Sequence, residues 1–173
     1  SALQAQVVLT VNAPNSVAGE YEFVLAAFGA AACDIDVTGD LLIVDDGSVN
    51  PTEACTEVQN DLTGFIAIID RGSCEFGVKC LNAQNAGAIA AIVCTNSSDD
   101  PIVMAAGEVG DQVTIPSIMI GQADCQAIRA TIPDANVTIG LSTDVIPPSG
   151  NVYFEETFDE GPNGWASSVI TGN

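Results

Sequence analysis

The chain has 173 residues, of which 47% are hydrophobic, a length that fits one domain or one domain with the start of another. Only 3 residues are Lys or Arg and 23 are Asp or Glu, so the formal net charge of −20 excludes phosphate-based nucleic-acid binding and disfavours an anionic membrane. The chain has no His, which excludes Ser-His-Asp and Cys-His catalysis and leaves carboxylate chemistry, Ca²⁺ binding or no chemistry at all.

The N-terminal half of the sequence alternates short apolar runs with polar loops. Branched and apolar residues predict strands over 6–11, 21–27, 41–44 and 64–70, the last of them a continuous run typical of a buried strand. The sequence Asp45-Asp46-Gly47 is a turn signal that ends the third strand. The polar segment 48–61 that follows it is predicted to be an ordered loop.

Two helices interrupt the strands of the C-terminal half. Apolar positions at helical spacing predict helices over 76–86 and 122–131, with strands over 88–93, 113–120 and 136–141. This alternation predicts an α/β or α+β unit with a β-rich part in front of it. Because no run of about 18 apolar residues is present, no membrane insertion is expected.

The chain has six cysteines: Cys33, Cys55, Cys74, Cys80, Cys94 and Cys125. An even number in an acidic chain predicts three disulfides and an oxidising compartment. The alternatives are a zinc site, for which no Cys-x-x-Cys pair and no His is available, and buried free thiols in a cytosolic protein. Asn96 and Asn136 each begin an N-glycosylation pattern, and the small and polar residues 1–6 fit the remnant of a secretory signal.

Three ordered groups of residues occupy the centre of the chain: Arg71-Gly72-Ser73-Cys74-Glu75-Phe76 with Lys79, Asn82-Ala83-Gln84-Asn85-Ala86-Gly87-Ala88, and Ile115-Pro116-Ser117. In these residues the chain resembles the protease-associated (PA) domain family, over roughly residues 16–141. The resemblance implies a β-rich α/β fold, a β-sandwich or open barrel flanked by two or more helices. It also implies an extracellular or lumenal module without catalytic activity, which binds peptides, gates access to a protease site or mediates association.

The resemblance divides the chain into three parts. Residues 1–15 are expected to form an N-terminal strand or arm, and 16–144 the PA-like domain. Residues 145–173 are expected to form a linker and a C-terminal arm, or the start of a truncated neighbouring β module of the adhesion type.

Two of the three cations, Arg71 and Lys79, lie inside the motif and are candidate binding residues. The first interpretation of Arg71 is structural, in which its guanidinium binds a carboxylate or loop carbonyls and fixes the turn before the helix. The second is a clamp for the carboxylate of a ligand. Val103 and Met104 are further candidates, because they could line a shallow groove for an added peptide strand, or simply cover the core.

Local geometry suggests a disulfide pairing. Cys74 and Cys80 bracket a turn and the first helical residues, and Cys94 at a strand end could reach Cys125 on the later helix. Cys33 and Cys55 would then join the N-terminal loops.

Pairs of carboxylates are the candidates for a metal site. Asp34 with Asp36, and Asp99 with Asp100, are the best candidate ligands for Ca²⁺, although neither has EF-hand spacing and solvated loops are the favoured explanation. A carboxylate dyad and a Ser73–Lys79 pair are the remaining catalytic options, and nothing in the sequence places either in a defined cleft.

The sequence therefore predicts a secreted, non-catalytic module that binds protein or peptide, with no cofactor or with Ca²⁺ alone. One alternative is a structural subunit of an extracellular filament or surface adhesin, a homo-oligomer assembled through strands in the terminal arms. Another is an accessory fragment of a secreted peptidase.

Overall fold

The computed structural model describes residues 6–142, which form one eight-stranded sheet and two α-helices. The strands are β1 (Val7–Ala13), β2 (Gly19–Tyr21), β3 (Phe23–Leu25), β4 (Asp36–Ile43), β5 (Ile66–Asp70), β6 (Ala90–Cys94), β7 (Ser117–Ile120) and β8 (Asn136–Leu141). The helices are α1 (Phe76–Asn85) and α2 (Gln122–Arg129). This β-rich architecture with two helices confirms the predicted fold class.

The sheet has the strand order β2-β1-β8-β4-β5-β6-β7-β3. Strands β4 to β7 are parallel to one another, whereas β2, β1, β8 and β4 form an antiparallel half and β3 pairs antiparallel with β7. The two edge strands, β2 and β3, are separated in sequence by Glu22 alone. The sheet therefore curls round until its edges nearly meet, as in an open barrel.

The parallel strands β5 to β7 are almost entirely apolar and buried, because both of their faces are covered. Alternate residues of these strands, such as Ile66, Ile92 and Ile118, enter one buried cluster with residues of β1, β8 and α2. Their neighbours, such as Ile69 and Met119, enter a second buried cluster that includes residues of α1.

The antiparallel strands bury one face only. Leu9 and Ile139 face the first buried cluster, while the Oγ1 atoms of Thr38 and Thr138 form a hydrogen bond of 2.7 Å on the outer face. This alternation is the pattern expected of strands with one face in water.

Several predicted elements differ from those observed. The strand predicted over 21–27 is interrupted at Glu22. Tyr21 is the last residue of β2 and Phe23–Leu25 form β3, and these two strands lie at opposite ends of the strand order. The strand predicted over 113–120 begins only at Ser117, since Pro116 has no amide hydrogen to donate to a neighbouring strand.

Of the predicted N-terminal strand or arm, residues Val7–Ala13 form strand β1 of the sheet. Strand β1 pairs with β8 on one side and β2 on the other, so its residues are used inside the domain. The N-terminal strand of the assembly hypothesis thus lies within the sheet, while the predicted C-terminal arm lies outside the described residues. In the described part of the chain, neither helix has the length and apolar character needed to cross a bilayer.

The disulfide prediction was right for one pair and wrong for two. Cys94 pairs with Cys125 as predicted, but Cys74 pairs with Cys55, and Cys33 and Cys80 are free thiols. Cys80 cannot reach Cys74 because it points from α1 into the second buried cluster, where burial raises its pKa to about 11. Cys33 lies exposed in the 3-10 turn Ala32–Asp34.

Candidate functional site: a cleft at the carboxyl ends of β5 and β6

An open cleft of about 480 Å³ lies where the parallel strands β5 and β6 end. We call it the Arg71 cleft; it is lined by the loop residues 49–53, by Asp70, Arg71, Cys94, Thr95 and Asn96, and by Gln122, Cys125, Gln126 and Arg129 of α2. Because β5 and β6 are parallel, their carboxyl ends and the loops that follow them meet at one edge of the sheet. That edge is where open α/β sheets usually bind ligands.

A buried aspartate shapes the loop that forms one wall of the cleft. The carboxylate of Asp46 accepts hydrogen bonds from the amides of Ser48, Cys55 and Thr56, at 3.0, 2.9 and 3.1 Å. Burial alone would raise the pKa of Asp46, but these hydrogen bonds outweigh it and lower the pKa. The sequence indicated only a turn at this position, not its buried acceptor.

The first charged pair of the cleft joins β5 to α2. Arg129 Nη1 donates to Asp70 Oδ1 at 2.6 Å, and Thr52 Oγ1 donates to Asp70 Oδ2 at 2.5 Å. The two charged side chains remain 27% and 33% exposed, so this pair contributes little stability, at most about 1 kcal/mol. Its effect is to neutralise Asp70 in the cleft wall.

The second charged pair lies behind the wall. Glu53 Oε2 accepts hydrogen bonds from the amide and hydroxyl of Ser73 at 2.8 and 2.9 Å, and Lys79 Nζ lies 3.7 Å from the same oxygen. The amide of Ser73 is the main cause of the lowered pKa of Glu53, and Lys79 adds to it. A side chain at Gly72 would overlap the Glu53 carboxylate, which explains the glycine.

Lys79 is a structural residue of this arrangement rather than a ligand-binding one. Its side chain is fully buried, and Nζ donates to Glu53 O at 2.8 Å and contacts Cys55 Sγ at 3.5 Å. Burial lowers the pKa of Lys79, and the nearby Glu53 opposes that shift. The Cys55–Cys74 disulfide holds the same two loops together.

Arg71 is the one cation of the three that has no carboxylate partner in residues 6–142. Its backbone is fixed, because its amide donates to Cys94 O at 3.0 Å and its carbonyl accepts from Asn96 Nδ2 at 3.3 Å. The guanidinium lies over the ring of Phe76, 5.9 Å from the ring centre. The structure therefore shows neither the carboxylate nor the carbonyl contact of the structural interpretation.

The other predicted binding residues do not form a groove. Met104 is fully buried in the second cluster, and its carbonyl accepts a hydrogen bond from the amide of Ala27, so it is not accessible to a ligand. Val103 is 63% exposed but lines none of the clefts described here.

The candidate metal ligands are not brought together. Within residues 6–142 no three Asp, Glu, Cys or His side chains are grouped as a metal site. Asp99 instead caps α2, where its Oδ1 accepts from the amide of Ala123 at 2.7 Å. Asp34, Asp36 and Asp100 are exposed, and their side chains make no hydrogen bond within that range.

The two candidate glycosylation sites differ in exposure. Asn96 is exposed at the rim of the Arg71 cleft. Asn136 is half-buried, and its amide group is engaged on both sides, by Asn12 Nδ2 at 2.8 Å and Asp40 Oδ1 at 2.7 Å.

Comparison with known proteins assigns the class. A family model for the PA domain matches residues 4–128, and the chain belongs to this family. Among curated proteins it is similar to the E3 ubiquitin-protein ligase ZNRF4 of Macaca fascicularis, with 36% identity over 114 residues, 62% of this chain and 25% of the relative. The E3 ubiquitin-protein ligase RNF13 of Gallus gallus is 43% identical over 58 residues, 32% of this chain and 15% of the relative.

Solved structures share the fold. A zinc aminopeptidase from Bacillus subtilis superimposes with a TM-score of 0.59 at 24% identity, over 80% of this chain and 30% of that one. An aminopeptidase from Aneurinibacillus sp. strain AM-1 gives a TM-score of 0.61 at 24% identity, over 80% of this chain and 31% of that one. The chain thus spans about a third or less of the proteins it matches.

Proposed function

We propose that this PA domain is a non-catalytic protein-interaction module that binds an extended peptide in the Arg71 cleft. The guanidinium of Arg71 would take a carboxylate of the peptide, either an acidic side chain or the C-terminus. The observation that carries the proposal is the way in which the charged side chains of the cleft are paired. Its two carboxylates each have a cation partner, whereas Arg71 has none in the described residues.

The charge of the whole chain makes this arrangement selective. A chain of net charge −20 repels acidic ligands almost everywhere on its surface. Around the cleft, however, the three cations Arg71, Arg129 and Lys79 balance three carboxylates, those of Asp70, Glu53 and the buried Asp46. An acidic ligand is therefore tolerated at this place, and the side chains of Asn96 and Gln126 add neutral hydrogen-bonding groups at its rim.

The same contacts support a role without turnover. Ser73, the one candidate nucleophile beside a lysine, donates its hydroxyl hydrogen to the Glu53 carboxylate, and Lys79 is buried behind it. Asp70 and Glu53 are both held in ion pairs rather than facing each other across a substrate. With no His in the chain, no general base near neutral pH remains at the cleft.

The two disulfides favour an extracellular or lumenal location, because such bonds persist in oxidising compartments. Both lie beside the Arg71 cleft: Cys94–Cys125 is part of its lining, and Cys55 follows the loop residues 49–53. A reducing compartment would remove both of these links.

The experiment is a titration of the isotopically labelled chain with three short peptides, followed by NMR. The peptides are acetyl-Ala-Ala-Glu-Ala-Ala-amide, its Gln counterpart and its Lys counterpart. We expect shifts centred on Arg71, Thr95 and Gln122 with the Glu peptide only. Arg71→Gln should weaken the binding about tenfold or more, the loss expected for a charge-assisted hydrogen bond.

Asn85→Asp is the matched control, because it changes the net charge by the same amount at an exposed site on α1. This variant should bind the Glu peptide nearly as well as the original chain. Equal losses in Arg71→Gln and Asn85→Asp would refute a specific role for Arg71.

A further inference from the structure

Within residues 6–142 the barrel has a gap between the start of β1 and the outer edge of β3. Strand β1 pairs with β8 from Val7 onwards, but with β2 only from Leu9 to Val11. After Tyr21 the chain turns away, and β3 pairs with β7 alone in the described part of the sheet. We call the gap lined by Gln6, Val7 and Val8 on one side and Phe23, Val24 and Leu25 on the other the seam.

Hydrogen bonds at the ends of the two strands show which backbone groups face the seam. The amide of Ser142 donates to Gln6 O at 2.7 Å, so in the alternating pattern of an antiparallel strand Val7 faces away from β8. In the same way the amide of Ala26 donates to Ser117 O at 2.9 Å, so Phe23 and Leu25 face away from β7. The backbone groups of three residues are therefore directed at the seam from opposite sides.

The seam is concave and has an apolar floor. Two adjoining clefts of about 500 and 650 Å³ share Gln6, Val7, Phe23 and Val24 as lining residues. One of them extends to Leu141, an apolar side chain that is 42% exposed.

The rim of the seam is acidic. Glu20, Glu22 and Asp100 line it, all three are exposed, and no Lys or Arg is among the lining residues. The cations of the described residues are instead at or behind the Arg71 cleft. A ligand for the seam must therefore present positive charge, in contrast to the ligand proposed for the Arg71 cleft.

We propose that the seam binds an extended segment of a partner protein in which apolar residues alternate with Lys or Arg. Such a segment adds as a strand between β1 and β3, where it uses the backbone groups of Val7, Phe23 and Leu25. Because side chains of a strand alternate between two faces, the apolar ones contact the floor and the cationic ones reach the acidic rim. A second copy of this chain is a poor occupant, since each copy has a net charge of −20.

The test is a titration of the full labelled chain with acetyl-Lys-Val-Lys-Val-Lys-Val-amide. We expect shifts at Val7, Val8 and Phe23–Leu25, and binding that weakens with added salt. The same peptide with alternate backbone amides methylated keeps its charge but cannot form the strand hydrogen bonds, and it should not bind. A peptide with Glu in place of Lys should not bind either.

Variants separate the seam from the rest of the acidic surface. Glu20→Gln with Glu22→Gln should lower the affinity about two- to tenfold, as expected for two exposed ion pairs. The double variant Glu57→Gln with Glu108→Gln removes the same charge at other exposed positions and should leave the affinity nearly unchanged. Arg71→Gln should also leave it unchanged, so failure of the seam and failure of the proposed function are separately visible.

Three outcomes overturn the proposal. Equal binding of the methylated and unmethylated peptides means that charge alone attracts the peptide. Equal losses in the two double variants mean that no particular carboxylates are used. Concentration-dependent dimerisation in sedimentation, with the seam residues protected in the absence of peptide, means that a second copy occupies the seam.

Discussion

The Arg71 cleft and the seam are built by different means. The walls of the cleft are fixed by side chains: two disulfides, two ion pairs and the hydrogen bonds to Asp46 hold its loops in place. The seam is held by backbone pairing and by apolar packing against the first buried cluster, and no disulfide or ion pair of the described residues involves its lining. The comparison shows how a chain of net charge −20 can place its cations at one region and only carboxylates at another.

This difference has a physical cause in the small number of cations. The chain has only 3 Lys and Arg residues, and the fold gathers all three at or behind the Arg71 cleft. Everywhere else, recognition has to rely on backbone groups, apolar surface or negative charge. The predictions below test whether the cleft depends on its side-chain links and the seam does not.

The largest effect is expected from removing the disulfides. Cys55 and Cys74 are 19 residues apart and Cys94 and Cys125 are 31 apart, for which the chain-entropy relation gives losses of about 3.2 and about 3.7 kcal/mol. In urea unfolding, both Cys55→Ser/Cys74→Ser and Cys94→Ser/Cys125→Ser should therefore be strongly destabilised. At a urea concentration at which both double variants remain folded, each variant should lose binding of the Glu peptide and keep binding of the Lys-Val peptide.

Loss of the Lys-Val peptide in either disulfide variant, with the fold intact by NMR, would contradict the separation of the two regions. Unchanged binding of the Glu peptide would contradict the role of the disulfides in the cleft.

Lys79→Met is expected to have the next largest effect. The variant keeps most of the side-chain volume but removes the buried ammonium group, leaving Glu53 O without its donor and the Glu53 carboxylate without its cation. We expect a loss of about 3 kcal/mol in the free energy of unfolding, at the lower end for a broken buried pair because Glu53 is partly exposed. A loss below about 0.5 kcal/mol would show that the ammonium group is dispensable.

Acid should destabilise the cleft more than the seam. The pKa values of Asp46 and Glu53 are lowered from 3.8 and 4.5 in the folded chain. A carboxyl group whose pKa is lower in the folded chain than in the unfolded chain stabilises the folded state at pH values above its unfolded pKa. That contribution is lost as the pH falls through its folded pKa. Urea unfolding from pH 7 to pH 2 should show this loss below about pH 4.5.

Substitution separates this loss from the general decrease in charge repulsion on acidification. Asp46→Asn should be less stable than the original chain at pH 7 and should show a smaller decrease between pH 4.5 and pH 2. Glu57→Gln, at an exposed position, is the control and should keep the original decrease. Parallel curves for the Asp46→Asn variant and the original chain would rule out this account of Asp46.

The smallest effect is expected from Cys33→Ser. The side chain is exposed beside the seam and forms no disulfide, so the free energy of unfolding should change by less than about 0.5 kcal/mol. Binding of the Lys-Val peptide should also be unchanged, because the proposed contacts are made by the backbone of other residues. A larger loss of stability would mean that the turn Ala32–Asp34 supports the edge of the seam.

The strands that carry the fold could be predicted because their pattern follows from burial. The run 64–70 is apolar at every core position since β5 is covered on both faces, and the motif around Arg71 indicated the family. What could not be predicted depends on contacts between distant segments. Cys74 pairs with Cys55 because Glu53 and Ser73 bring their loops together, which spacing along the chain does not reveal.

The site shows the same limit. Helical periodicity does not decide whether the side chain of Lys79 is buried or exposed. Its complete burial depends on a hydrogen bond to the carbonyl of Glu53, 26 residues earlier. Arg71 was a candidate from the sequence, but the sequence did not show that it lacks an ion-pair partner. The neighbouring Asp70 pairs instead with Arg129, which lies 59 residues later in the chain. A loop position left both a groove and the core open for Met104, and the structure places its side chain in the core.

The reactivity of the buried Cys80 thiol reports when the domain opens. A thiol with a pKa of about 11, enclosed between α1 and the sheet, is almost entirely protonated at pH 8 and is shielded from alkylating reagents. Iodoacetamide should therefore modify Cys33 within minutes, whereas Cys80 reacts only in molecules that have opened their second buried cluster. The ratio of singly to doubly alkylated chains, followed by mass spectrometry, would time that opening without any added label.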